Sequence, residues 1–303
     1  MSQNLPDAPE SNLPGILFML AGVFVLTIMD VAAKLLVEAD YSPFQILAIR
    51  GWIITTCFIS WMAARGQLGY LKTTRIHHYV IRGAIGFFAP FLFFSALGLL
   101  PLADTVVLFF AAPFIMTILS IPLLKETVGP YRWAAILIGF IGVVIVAQPS
   151  GGALQTGTLY AIGGCLAYSL VMIMTRWMSA TEPPVRMVFY FNAGTAIIGT
   201  CALPFVWKPM AMEHIVILVA MAAVAMLGHI LMTTAFSKAP IGAIVPFEYT
   251  ALVWSTLFGF VIWGDFPANH VWLGAGIIVV SGIYMVHRER VKKVKPHEVP
   301  LEL

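Results

Sequence analysis

Charge is scarce in this sequence. Of its 303 residues only 10% are Asp, Glu, Lys or Arg, whereas 60% are hydrophobic and the mean hydropathy is +0.92. Soluble globular domains carry about 25% charged residues, so this composition excludes that class of protein. The formal net charge is +3, which we interpret as a sign of membrane orientation, and no nucleic-acid partner is expected.

Cysteines and catalytic motifs are also few. The three cysteines, Cys57, Cys165 and Cys201, lie in apolar stretches without disulfide or metal-site spacing, so we expect small buried hydrophobic side chains. The chain has no glycine-rich phosphate loop, no HExxH motif and no nucleophile elbow. The sequence therefore predicts no cofactor and no metal site, and it argues against an enzyme or an ATP-driven pump.

Long hydrophobic runs fill almost the whole chain. Each is about 20 residues long, which is what a helix needs to cross roughly 30 Å of hydrocarbon. The alternating pattern of a barrel strand is absent, so we predict an all-α polytopic membrane protein with ten transmembrane helices. The predicted spans are 13–37, 43–64, 76–98, 103–123, 131–147, 157–178, 185–207, 214–236, 240–263 and 269–287.

Lys and Arg are distributed unequally between the two sides of the predicted bundle. With the N-terminus inside, nearly all basic residues near the span ends, Arg82 among them, fall on the cytoplasmic side, whereas Lys208 falls outside and Lys34 near that edge. An excess of Lys and Arg in short loops marks the cytoplasmic side of a membrane protein. We therefore predict a multi-pass inner-membrane protein with both termini in the cytoplasm.

The second half of the sequence repeats the first. A shift of 139 residues aligns ALGLLPLADTVVLFFAA (96–112) with AFSKAPIGAIVPFEYTA (235–251), and a shift of 142 pairs the first helices of the halves. Because each unit has five helices, an odd number, the second copy enters the membrane from the opposite side to the first. Such inverted repeats are typical of secondary transporters. The predicted boundaries are 13–147 and 157–287 for the repeats and 1–12 and 288–303 for cytoplasmic tails.

These segments also resemble a known family. LLPLADTVVLFFAAPF is followed by LLKE, KAPIGAIVPFEYTALVW is followed by GDFP, and the last helix ends in SGIYMVHRER. With these motifs, residues 13–290 resemble the EamA-type branch of the drug/metabolite transporter (DMT) superfamily. The resemblance implies ten helices in inverted repeats and transport of amino acids, vitamins, nucleotide-like metabolites or toxic organic compounds. One departure from repeat symmetry is Phe109, which stands where the second repeat has Glu248.

Glu248 is the main candidate for a functional residue. It lies eight residues into the ninth predicted span, or roughly 12 Å from the membrane edge. Because a charge at that depth costs a few kcal/mol, we expect it to bind substrate or a proton, the alternative being a neutral acid bonded to backbone. His229 lies at matching depth in the neighbouring span, and we hypothesise that the two residues share a proton.

Aromatic residues flank this carboxylate. Tyr249 is adjacent to it and would complete a wall that accepts a cation, which suits an amine substrate. Trp254 lies on a helical stripe with Phe247 and Thr250, for which ordinary packing is the alternative.

A second polar group is predicted near the other membrane edge. Asp30 and Arg50 lie at similar depth in the first two spans, so we expect them to face each other, either as a structural ion pair or with Arg50 binding a substrate carboxylate. Lys34, one turn after Asp30, is expected to share its carboxylate. Asp104 is expected to cap the fourth helix.

The sequence thus predicts a secondary transporter that moves a small organic metabolite by alternating access. An amino acid or related zwitterion or amine is favoured, with export slightly preferred. The alternatives are an importer of the riboflavin or S-adenosylmethionine type, and less favoured ones are a membrane-embedded enzyme or a channel. Proton coupling and passive exchange both fit, and a homodimer is left open.

Overall fold

The computed structural model of the chain describes residues 12–124, 128–148, 155–178, 181–239 and 244–293, and all regular structure within these ranges is helical. The α-helices are α1 (Leu13–Glu38), α2 (Pro43–Ala64), α3 (Ile76–Leu97), α4 (Leu102–Phe109), α5 (Ala112–Leu124), α6 (Pro130–Ala147), α7 (Thr156–Met178), α8 (Pro184–Val206), α9 (Met212–Lys238), α10 (Ala251–Phe258) and α11 (Asn269–Lys293). Short 3₁₀ segments cover Leu68–Leu71 and Val245–Thr250, and a π-helical turn covers Gly259–Trp263.

These helices make the ten predicted membrane crossings. Eight stretches of the described chain are long and apolar enough to span a membrane, α4 and α5 together forming one of them. The 3₁₀ segment at Val245, α10 and the π-helical turn form the ninth crossing, and α11 forms the tenth. The predicted ends agree with the observed ones to within a few residues, except that α11 continues six residues beyond the tenth predicted span. Residues 240–243, with which the ninth predicted span begins, lie outside the described residues.

The fourth and ninth crossings are both discontinuous. A turn at Phe110 and Ala111 separates α4 from α5, and the change from 3₁₀ to α-helix at residue 251 divides the ninth crossing. The second pieces begin at Ala112 and Ala251, which are 139 residues apart, the shift found in the sequence repeat. Discontinuous helices at matching positions of the two halves are a frequent feature of transporter binding sites.

Helix packing follows the same symmetry. The helix α1 packs along α9, and α3 packs along α7. Since α1 is equivalent to α7 and α3 to α9 in the two halves, the symmetry that relates the halves converts one pair into the other. In the other two pairs, α2 packs with α8 and α6 packs with α11, so each pair joins equivalent helices of the two halves. The inverted repeats are therefore interleaved, because the largest contacts of α1, α2, α3 and α6 are with helices of the other half.

Small residues allow one of these seams to close. A methyl group on Gly142 of α6 would lie 2.8 Å from the carbonyl oxygen of Gly274 in α11, and one on Gly274 would lie 2.6 Å from that of Gly142. Glycine at both positions therefore permits direct backbone contact.

The prediction for the cysteines is wrong in part, since Cys165 is buried but Cys57 and Cys201 are exposed.

With ten crossings, α1 begins and α11 ends at the same face of the bundle. We call the face at which α1 begins the terminal face, and the face at which α1 ends the opposite face. Arg65, Lys72 and Arg75 follow or precede helix ends at the terminal face, whereas Asp40 and Lys208 lie at the opposite face.

Candidate functional site

A cavity of about 480 Å³ lies inside the bundle between helices of both halves. Its volume is within the range of small-molecule sites. Much of the wall is apolar or aromatic, and the polar side chains are therefore conspicuous. Its aromatic residues are Phe93, Phe94, Phe109, Tyr168 and Phe191, and its ionisable residues besides Tyr168 are Asp30, Arg50, Arg82 and His229.

Asp30 and Arg50 face this cavity together, as the sequence predicts for their depth. They are close enough for their charges to interact. In the described part of the chain, however, no ion pair within 4.0 Å and no hydrogen bond joins them. The Arg50 residue is 8% exposed, and no described residue accepts a hydrogen bond from its guanidinium. A carboxylate and a guanidinium, both with unused hydrogen-bonding capacity, therefore line one small space.

Lys34 does not share the Asp30 carboxylate, contrary to the sequence-based expectation. Its Nζ donates hydrogen bonds of 2.9 Å to the carbonyl oxygens of Leu97 and Leu100 and forms an ion pair of 3.2 Å with Glu38. The Trp263 indole N–H in turn donates to Glu38. Lys34 lies one helical turn beyond Asp30, past the cavity and near the opposite face, where free carbonyls at the end of α3 accept its hydrogen bonds.

His229 also lines the cavity, where it is near the positive charge of Arg50. The structure does not bring it together with Glu248, since neither side chain interacts electrostatically with the other. The hypothesis of a shared proton used depth alone, and depth does not fix the direction in which a side chain leaves its helix. His229 belongs with the Asp30 and Arg50 group.

Glu248 lies in the 3₁₀ segment of the ninth crossing and is not among the residues that line this cavity. It is half-buried, and no described residue forms a hydrogen bond or ion pair with its carboxylate. Its charge acts on the phenols of Tyr168 and Tyr249, and Tyr168 is part of the cavity wall. Glu248 is therefore connected to the cavity through Tyr168 and not by direct contact.

The two aromatic candidates next to Glu248 are packing residues in this conformation. The Tyr249 ring contacts Phe110 edge to face at 5.0 Å between centroids, and its hydroxyl lies against the backbone of Gly282. The Trp254 ring contacts Phe24 at 4.9 Å. The Trp254 Nε1 is buried and has no hydrogen-bond partner in the described chain, so it is a donor with unused capacity.

Arg82 is a cavity residue that the sequence analysis used only as a topology marker. It is buried, and its guanidinium donates to Thr175 and to the Met187 carbonyl. The sequence signal was available, because Arg82 lies six residues inside the predicted third span, and a charge within a span suggests function for the same reason as at Glu248.

Two polar networks join the halves at the ends of the bundle. At the terminal face, the Tyr79 hydroxyl donates to Glu182 at 2.7 Å and Arg186 forms an ion pair with it at 2.5 Å. The hydrogen bond from Tyr79, with help from Arg186, lowers the pKa of the Glu182 carboxyl. At the opposite face, Tyr41 and His214 share a hydrogen bond of 3.1 Å, while the Gln45 side chain bonds both backbone groups of Lys208.

Asp104 does not cap α4, contrary to expectation. The helix has no side-chain cap, and Oδ1 of this carboxylate is buried without a hydrogen-bond partner among described residues. The residue before the helix is Pro101, and Asp104 is the third residue of α4. It therefore lies in the first turn and not at the cap. In the described chain no group of three or more His, Cys, Asp or Glu residues is placed to hold a metal ion.

Comparison with known proteins gives one family match. The model of the EamA-like transporter family matches residues 13–148 and again 155–287. A solved crystal structure is similar in fold, with a TM-score of 0.62 at 20% identity over 94% of this chain and 100% of the other.

Curated relatives match over nearly their whole length. The S-adenosylmethionine uptake transporter of Rickettsia prowazekii is 25% identical over 96% of this chain and 99% of its own. The riboflavin transporter of Vibrio cholerae is 24% identical over 95% and 97%, respectively. The pseudopaline exporter of Pseudomonas aeruginosa is 24% identical over 89% and 94%.

Proposed function

Because the chain belongs to the EamA-like transporter family, we propose that it is a secondary transporter for a zwitterionic organic metabolite in the bacterial inner membrane. Membership makes the protein a multi-pass membrane transporter of small molecules and not an enzyme. The sequence carries no ATP-binding motif, so a gradient of substrate, with or without protons, supplies the driving force.

One observation carries the zwitterion proposal, namely that Asp30 and Arg50 face the same cavity without pairing. A buried charge is costly unless a partner of opposite charge compensates it. A ligand with an ammonium group and a carboxylate supplies both partners at once, the ammonium to Asp30 and the carboxylate to the planar donor fork of Arg50. The aromatic wall then accommodates an apolar or heterocyclic part.

Interleaved inverted repeats support alternating access. In such folds substrate binds near the membrane midplane between the halves, which rock around it. The Tyr79 network at the terminal face and the Tyr41 network at the opposite face each join one half to the other. We propose that these networks open in turn, so that the cavity communicates with one side of the membrane at a time.

The relatives suggest the compounds to test. S-adenosylmethionine has an ammonium, a carboxylate and a heterocycle, and simple amino acids have the first two groups, whereas riboflavin is not a zwitterion. In proteoliposomes preloaded with unlabelled compound, we expect labelled S-adenosylmethionine or an amino acid to show saturable counterflow, with chemically unchanged product. Counterflow of riboflavin with none of any zwitterion would contradict the proposal. Flux without counterflow would indicate a channel, and altered product would indicate an enzyme.

Orientation is a further part of the proposal, with both termini in the cytoplasm. The terminal face carries Arg65, Lys72, Arg75 and Arg186, and the positive-inside rule places this face inside. The test replaces the three native cysteines by alanine and introduces a cysteine at Gly69 or at Glu213, which lie on the terminal and opposite faces. In intact spheroplasts a membrane-impermeant maleimide should label only position 213. Labelling only at position 69 would reverse the assignment.

A further inference from the structure

Arg82 lies at the end of the cavity away from Asp30 and Arg50. It is the seventh residue of α3, which begins at the terminal face, whereas Arg50 is the eighth residue of α2, which begins at the opposite face. Both helices have 22 residues. At 1.5 Å per residue, the two arginines are therefore roughly 12 Å apart along the bundle.

The guanidinium of Arg82 is held in one orientation. Its Nε and Nη2 donate to the Thr175 hydroxyl at 3.0 and 2.9 Å, and its Nη1 donates to the Met187 carbonyl at 3.2 Å. The Phe191 ring lies 5.7 Å below it. These bonds use three of the five N–H groups of an arginine and leave two. The residue lines the cavity, so a ligand there reaches a donor pair that is already oriented.

The positive charge of Arg82 has no negative partner in the described chain. Lys34 and Arg186, by contrast, are each paired with a carboxylate, Lys34 with Glu38 and Arg186 with Glu182. The only described group whose charge acts on Arg82 is the Tyr79 phenol, which is neutral while it keeps its proton and donates a hydrogen bond to Glu182. A buried cation held by neutral groups alone retains an unused capacity for an anion.

We propose that Arg82, oriented by Thr175 and Phe191, is a subsite for a second, remote acidic group of the substrate. The inference rests on the proposed function and deepens it, because the substrate then carries a zwitterionic head for Asp30 and Arg50 and a carboxylate or phosphate about 12 Å away. The cavity as a whole has two arginines and one aspartate, so its charge matches such a ligand better than a simple zwitterion.

Matched compounds test the remote acid. A γ-glutamyl tripeptide, glutathione, has an amino-acid head and a distant glycine carboxylate, and its C-terminal glycinamide lacks only the distant charge. We expect the tripeptide to bind the purified transporter at least about tenfold more tightly than the amide, since hydrogen bonds to charged groups contribute about 1.5–3 kcal/mol. Glutamate and glutamine, which are too short to reach both arginines, should differ much less. Affinity is measured by ligand-dependent thermal stabilisation.

Variants then assign the preference to Arg82. In Arg82→Gln the tripeptide and its amide should bind equally, and in Thr175→Val the preference should shrink because the guanidinium loses its orienting acceptor. Arg75→Gln removes the same charge from a residue that bonds Thr181 at the terminal face, and this control should keep the full preference. If Arg82→Gln does not fold, Arg82→Lys keeps the charge without the fork and should retain only part of the preference.

The outcomes separate this inference from the proposed function. Equal binding of tripeptide and amide to the unmodified protein overturns the remote-acid subsite but leaves the zwitterion proposal standing. No binding of any compound with an amino-acid head overturns both. Inorganic sulfate should compete with the tripeptide and not with the amide, whereas sulfate that strengthens binding of the amide would show that a separate ion occupies the subsite and would overturn the assignment to the substrate.

Discussion

Arg50→Gln is expected to lower the affinity for zwitterionic substrates by about 10- to 100-fold while leaving the protein folded. The substituted guanidinium has no hydrogen bond to any described residue and no ion pair with Asp30, so its removal breaks no observed hydrogen bond or ion pair. In the proposed complex, by contrast, the substrate carboxylate loses a charged hydrogen bond, which is worth about 1.5–3 kcal/mol. Counterflow at low substrate concentration measures the loss.

Two further variants sharpen this prediction. Arg50→Lys keeps the charge but not the planar fork, so its transport should fall between those of the unmodified protein and Arg50→Gln. Arg65→Gln is the matched control, because Arg65 follows the other end of α2 and lies over Trp61 at the terminal face. If Arg50→Gln instead reduces protein yield, and the double variant with Asp30→Asn restores it, then the two residues form a structural pair and the substrate assignment is wrong.

Glu248→Gln is expected to abolish accumulation driven by a pH gradient and to leave exchange intact. Glutamine keeps the shape of the side chain but cannot bind and release a proton. The carboxylate has no hydrogen-bonding partner among the described residues and acts on the cavity residue Tyr168. If Glu248 binds the coupled proton, its replacement should affect coupling more than substrate binding, because Glu248 does not line the cavity. Exchange needs binding and reorientation but no net proton movement, so counterflow should remain near its original rate.

The control for this variant is Glu213→Gln, which removes an exposed carboxylate at the start of α9. It should change neither activity. Loss of both activities in Glu248→Gln, greatest for cationic compounds, would assign the carboxylate to the substrate. Normal driven accumulation by a well-expressed Glu248→Gln variant would contradict both proton coupling and substrate binding by Glu248. Glu248 would then be a protonated structural residue.

The sequence was sufficient for the architecture because hydrophobic length, loop charge and internal repetition each report directly on membrane crossings. It also placed Asp30 and Arg50 at one level, since a four-residue connection makes α1 and α2 neighbours. Whether two such residues bond each other or a third molecule depends on side-chain direction, and a difference of a few ångströms decides it. Periodicity does not carry that information.

The surroundings of Glu248 were harder to predict, for a local reason. The helical stripe that grouped Trp254 with Phe247 and Thr250 assumed 3.6 residues per turn, but Val245–Thr250 is a 3₁₀ segment with three. Each residue there turns about 20° further than in an α-helix, and a proline at position 246 contributes no backbone donor. Arg82 was missed because a basic residue near a span end was counted as a sign of orientation.

The interleaving of the two halves also imposes an order on biogenesis. The main neighbour of α1 is α9, and more than 170 residues separate Glu38 from Met212. At a synthesis rate of about 5–20 residues per second, α1 enters the bilayer roughly 10–35 s before its partner is translated. During this interval, the surface that will meet α9 faces lipid or the insertion machinery. The N-terminal half therefore completes its assembly only after the C-terminal half has been inserted, although all five of its helices are already in the membrane.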